Sequence, residues 1–140
     1  MAGPTRAVSR VRRARPAPYC GAVIELGRRA QRLPAPPRVV WASLHDPHAP
    51  GSRPWLRLAP DEVQPRVLEA EEPHRVVWSS LWPDRPRDVV VLEIEEADAG
   101  SSLRFTLLTP DDPPEAGRIG HLRRRINVLL FADLRFSYGQ

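Results

Sequence analysis

Apolar residues recur along this chain at two periods, every second position through the middle and every third to fourth near the end. In residues 19–29, Cys20, Ala22, Ile24 and Leu26 alternate, which predicts a first strand with one buried face. Pro34, Pro36 and Pro37 then break the chain. A proline near the first helical position, with Val40 and Leu44 four apart, predicts a short helix over 38–45 that Asp46-Pro47 stops. Residues 48–60 set three prolines and a glycine around Trp55, Leu56 and Leu58, an irregular loop with apolar anchors that could lid a cavity.

From Glu62 the period is two, and four strand-like runs follow, separated by turn chemistry. Val63 and Val67 mark the first, and Glu72-Pro73-His74 turns the chain. In the second, Val76, Trp78, Ser80 and Trp82 share one face while Val77, Ser79 and Leu81 share the other. In the third, Val90, Leu92 and Ile94 alternate with Val89, Val91, Glu93 and Glu95; in the fourth, Leu103, Phe105 and Leu107 oppose Arg104, Thr106 and Leu108. With strand one this is a five-stranded antiparallel sheet.

The last third is helical. Asp112-Pro113-Pro114-Glu115 resembles a capped start, and Leu122, Ile126, Leu129, Leu130 and Leu134 form a stripe wide enough to pack on a sheet. A helix over 113–138 would be about 39 Å long, so it must cross the strands obliquely. Strands followed by one long final helix argue for α+β and against a parallel βαβ arrangement.

Composition narrows the function classes. The 140 residues suit one domain, and such a chain buries about 68–70% of its unfolded surface without staples. The lone Cys20 excludes an internal disulfide, and no apolar run approaches the ~18–20 residues of a membrane span. Without a signal-peptide pattern, the expected compartment is the cytoplasm. The net charge of +4 resembles a nucleic-acid signal, but five arginines fall in the first fifteen residues with no acid, leaving the remainder at one net negative charge. Residues 1–18, rich in Arg, Pro and Ala, read as a disordered tail ahead of one domain over 19–140. No aromatic residue separates those arginines, so specific nucleic-acid binding is not expected.

Residues 76–86 (VVWSSLWPDRP), 41–47 (WASLHDP) and the ending LRFSYGQ resemble the SRPBCC superfamily of START-like, polyketide cyclase/dehydrase-type proteins, with the match closest to an uncharacterised bacterial branch. The resemblance spans roughly residues 19–140 and agrees with the element order reached above. It implies a helix-grip fold, a curved antiparallel sheet of about five to six strands wrapped around the C-terminal helix. It also implies a cavity that in relatives holds lipids, aromatics or polyketides. Because that fold carries several activities, function taken from it is analogy.

The candidate lining for an apolar small molecule is Trp41, Trp55, Trp78, Trp82, Phe105, Asn127, Leu130 and Phe131. Trp78 and Trp82 on one strand face would stand about 13 Å apart with Ser80 between them, as pocket wall or as ordinary core. Asn127 interrupts the helical apolar run and either orients a ligand or lies on the wet side beside Arg123 and Arg124. Asp133 is either a buried acid or an exposed partner of Arg135. A cyclase or dehydratase-type enzyme would draw on His121, Asn127 and Asp133. A protein-interaction module would use the Trp55 loop and a sheet edge. His45, Asp46 and His48 match no structural zinc spacing, so no metal is expected, and no motif calls for a cofactor. The residues name neither a ligand nor an oligomeric state.

Overall fold

The computed structural model describes residues 22–51 and 53–139; the readings made for the Arg-rich tail, Tyr19 and Cys20 lie outside the described residues. Five antiparallel strands, β1 (Ile24–Leu33), β2 (Val67–Glu71), β3 (Arg75–Ser79), β4 (Val89–Ala97) and β5 (Gly100–Thr109), form one sheet in the order β1-β5-β4-β3-β2. Helix α1 (Pro37–His45) follows β1, and α2 (Ala116–Val128) continues through a π-helical segment (Leu129–Leu134) into the short α3 (Arg135–Ser137). Leu129 and Arg135 keep right-handed helical angles at both junctions, so 116–137 is one continuous helix, about 33 Å long.

Binary patterning explains most of these elements. In β4 the inward Val90, Leu92 and Ile94 are fully buried while Glu93 and Glu95 stand in water, and β5 repeats the alternation with Leu103, Phe105 and Leu107. In α1, Pro37 occupies the first turn and Val40 and Leu44 sit one turn apart at 0% exposure. The helical stripe Leu122, Ile126, Leu129, Leu130 and Leu134 is wholly buried against the inner sheet face. A smaller apolar cluster on the outer face joins Val77, Val89 and Val91 with Leu68 and Leu108.

Three expectations are corrected. Strand one begins and ends about four residues later than its alternation suggested; Leu26 is buried as expected, but Ile24 is 45% exposed, and a bulge between Glu25 and Gly27 shifts the alternation beyond it. The tryptophan strand stops at Ser79: the Ser80 hydroxyl accepts from Trp82 N–H and donates to Trp82 C=O, a local turn that competes with the ladder. Leu81 and Trp82 therefore both enter the main core, where strict alternation would have put them on opposite faces. The final helix starts at Ala116 with Glu115 at its N-cap and no side-chain cap, so Asp112 does not cap it.

Candidate functional site

The inner sheet face, α1, the loop holding Trp55 and the C-terminal helix close over one apolar interior. Trp78 projects from β3, and its Nε1–H donates to the Leu44 carbonyl at the end of α1, 2.9 Å away. Trp55 stacks beside it with ring centroids 6.2 Å apart. Trp82 enters from the turn after β3, and Phe131 of the π-segment meets Phe105 of β5 at 6.3 Å. Leu130, at 0% exposure, joins the same cluster. Of the eight predicted lining residues, Trp55, Trp78, Trp82, Phe105, Leu130 and Phe131 are thus brought into one core.

Trp41 and Asn127 are only half-buried. Trp41 packs on the margin of that core, stacks on His45 at 4.5 Å and donates Nε1–H to the Arg75 carbonyl at 3.0 Å. Asn127 lies on α2 between Arg123 and Phe131, one helical turn from each, on the side of the helix that meets β1 and β5.

Polar satisfaction divides the tryptophans. Nε1 of Trp41 and Trp78 each has a carbonyl partner, whereas Nε1 of Trp55 and Trp82 is buried without a hydrogen-bond partner among the described residues. Asn127 Oδ1 is buried and unpartnered as well. Native interiors leave few such groups, and each unmade bond costs about 1–3 kcal/mol. These orphans were not legible in the sequence, because the partners of an indole N–H depend on tertiary placement.

Glu62 was missed by sequence reasoning. Its carboxylate is fully buried and receives Arg125 Nε at 2.7 Å and Nη2 at 2.9 Å, with the Ala59 amide donating at 2.8 Å. Arg125 also donates to the Arg57 carbonyl at 3.2 Å. The clasp ties the Trp55 loop to α2. Desolvation would raise the Glu62 pKa, but the Arg125 and Ala59 hydrogen bonds outweigh it and hold the carboxyl below its usual range. No local motif marks it; an acid in a proline-rich loop was the only signal.

The suspects for catalysis do not converge. His121 acts electrostatically on Glu62, and Asp133 feels Arg125 and Arg57, so both belong to the side of the helix facing the loop. Asn127, six residues after His121, lies about 120° around the helix. Burial pushes the Asp133 carboxyl up, against the pull of Arg125 and Arg57. Arg135 turns away from Asp133 to the Gln31 side chain and the Arg32 carbonyl. His45 stacks on Trp41. Among the described residues no group of three or more His, Cys, Asp or Glu could hold a metal ion, and no helix is long and apolar enough to cross a membrane.

No protein-family model matches the chain, and no curated protein matches it either. Solved structures do. The Aha1 dimer from Colwellia psychrerythraea aligns with a TM-score of 0.59 at 13% identity, covering 82% of this chain and 94% of that one. Protein SSP2350 from Staphylococcus saprophyticus gives 0.58 at 13% identity over 83% and 93% of the two chains. CalU16 from Micromonospora echinospora gives 0.54 at 20% identity over 79% and 83%. The chain shares the fold of these structures, the helix-grip arrangement that the sequence resemblance implied.

Proposed function

We propose that this protein binds an apolar small molecule between the inner sheet face and the C-terminal helix. The observation that carries the reading is the pair of buried, unpartnered indoles in the apolar core, Trp55 Nε1–H and Trp82 Nε1–H, with Asn127 Oδ1 unpartnered on the half-buried helix position beside it. A ligand with an apolar body and one or two polar atoms would satisfy them. The π-helical segment supports the same location, since such segments are rare and concentrate at functional sites, and this one carries Leu130 and Phe131. Trp78, Trp82 and Phe105 are each 1% exposed, so the guest enters by displacing side chains.

The cyclase or dehydratase reading requires polar groups gathered at one point, and His121, Asn127 and Asp133 are divided between two sides of the helix. The test is titration of the purified protein with N-phenyl-1-naphthylamine, a neutral apolar fluorophore, alongside native mass spectrometry. Saturable probe enhancement with matched tryptophan quenching supports the proposal. No saturable response and no retained mass would remove it.

A further inference from the structure

The seam where β1 meets the C-terminal helix is cationic, and its arginines are spaced along one line. Gly27, Arg29 and Gln31 pair with Leu107, Phe105 and Leu103 of β5, so their inner faces point toward the helix. A Cβ on Gly27 would fall 2.4 Å from Arg123 Cγ, which shows that the Arg123 side chain lies directly on the β1 backbone. At the other end Arg135 donates to Gln31 Oε1 at 3.2 Å and to the Arg32 carbonyl, while its own Nε is buried without a partner. On the strand, Arg29 falls between Gly27 and Gln31 on the same face. From Gly27 to Gln31 the strand advances about 13 Å.

Among the described residues no acid balances this line. The inner positions of β1 hold none, and the helix row facing them reads Arg123, Asn127, Phe131, Arg135. Asp133 belongs to the Arg57 and Arg125 side, and Glu115 lies eight residues before Arg123, about 12 Å along the axis. Among the described residues, the side chains of Arg29 and Arg123 make neither a hydrogen bond nor an ion pair, although those of most other arginines do.

Beneath the arginines the seam becomes aromatic. Phe105, the cross-strand neighbour of Arg29, is 1% exposed, and Phe131 above it is 7% exposed, the more open of the pair. Asn127 supplies an amide between the cations and that ring pair, able to pair with either a donor or an acceptor.

We infer that the seam between β1 and the C-terminal helix is the mouth of the binding site, and that it selects an organic anion: an acid head held by Arg29 and Arg123, with an apolar or aromatic body directed inward past Phe131. Guanidinium groups bind carboxylate, sulfonate and phosphate heads by paired charge-assisted hydrogen bonds. The inference rests on the proposed ligand binding and adds the charge of the ligand to it.

The test compares 8-anilinonaphthalene-1-sulfonate, which bears one anionic group, with the neutral N-phenyl-1-naphthylamine of the same ring framework. The wild-type protein should bind the sulfonate about tenfold more tightly at low salt, and the preference should shrink as salt rises. The double variant R29Q/R123Q should retain its affinity for the neutral probe and lose the preference. R104Q, on the outer face of β5, should keep it. Inorganic phosphate at millimolar concentration should displace neither probe; displacement of the sulfonate alone would make the seam a free-anion site and overturn the inference. Equal affinities in the wild type, or a preference that survives R29Q/R123Q, would also overturn it while leaving neutral-probe binding intact. Failure of the neutral probe to bind would remove the underlying proposal instead.

Discussion

The Glu62 carboxylate and the Arg125 guanidinium, 63 positions apart, meet in a two-point ion pair that fastens an irregular loop to the C-terminal helix. The Glu62 side chain is 0% exposed and that of Arg125 20%, so removing the arginine strands a buried carboxylate. Arg125→Ala should cost about 3 kcal/mol in urea unfolding at pH 7. The sign with pH follows from the lowered Glu62 pKa: the unfolded chain takes up the proton first as acid is added, so the stability from the pair is present above the ordinary carboxyl value of 4.5 and disappears as pH falls through the lower folded value. The gap between wild type and variant should therefore narrow in acid. A gap that stays constant down to pH 3 would contradict the assignment.

Gly100 and Gly27 both lack room for a side chain, but the obstacles differ. A Cβ on Gly100 would meet the Leu33 carbonyl oxygen at 2.0 Å, a backbone atom of the neighbouring strand that cannot step aside. Gly100→Ala should cost about 3 kcal/mol. The obstacle at Gly27 is the flexible stem of Arg123, so Gly27→Ala should cost under about 1 kcal/mol, within the range of ordinary surface changes. Thermal melts of the two variants decide the comparison. Equal losses would mean that Arg123 is held as firmly as backbone.

The C-terminus is pinned by Tyr138, whose hydroxyl bonds Ser43 Oγ on α1 at 2.9 Å. Desolvation raises its pKa to about 12, against a smaller opposing effect of the Ser43 bond. Because the folded state keeps the phenolic proton after the unfolded chain has lost it, stability should fall between pH 10 and about 12. Tyr138→Phe should remove that alkaline limb while costing about 1 kcal/mol at pH 7 for the lost hydrogen bond. Denaturant midpoints across this range for both proteins provide the check, and an unchanged limb in the variant would move the effect to another group.

The elements most legible in the sequence were those whose burial follows a strict period. Val90, Leu92 and Ile94 against Glu93 and Glu95 fixed both the strand and its inward face, and the Leu122 to Leu134 stripe identified the helix. Periodicity failed where one residue breaks the frame: the bulge at Glu25–Gly27 shifts the alternation of β1, so that Gly27, Arg29 and Gln31 take the inner face, and the Ser80 turn ended a strand that alternation would continue to Trp82. Trp55, Trp78 and Phe105 were identifiable as interior by type and pattern. The Glu62 clasp and the Arg29–Arg123 seam were not, since both join segments whose pairing depends on the folded topology.

Among the interior tryptophans, hydrogen bonding separates packing from binding. Trp78→Phe discards the bond to Leu44 and leaves that carbonyl short of a donor, in addition to the volume lost. Trp82→Phe loses a similar volume, but its Nε1–H is already unpaired, so deleting it relieves a buried polar group. Without ligand, Trp82→Phe should therefore be the milder change by about 1 kcal/mol or more. With a ligand that accepts a hydrogen bond the order of effects on affinity should reverse, Trp82→Phe weakening binding and Trp78→Phe leaving it nearly unchanged once stability is matched. Paired urea unfolding and probe titration of the two variants test both halves. Should Trp82→Phe prove the more destabilising and bind as the wild type does, the indole belongs to the packing alone.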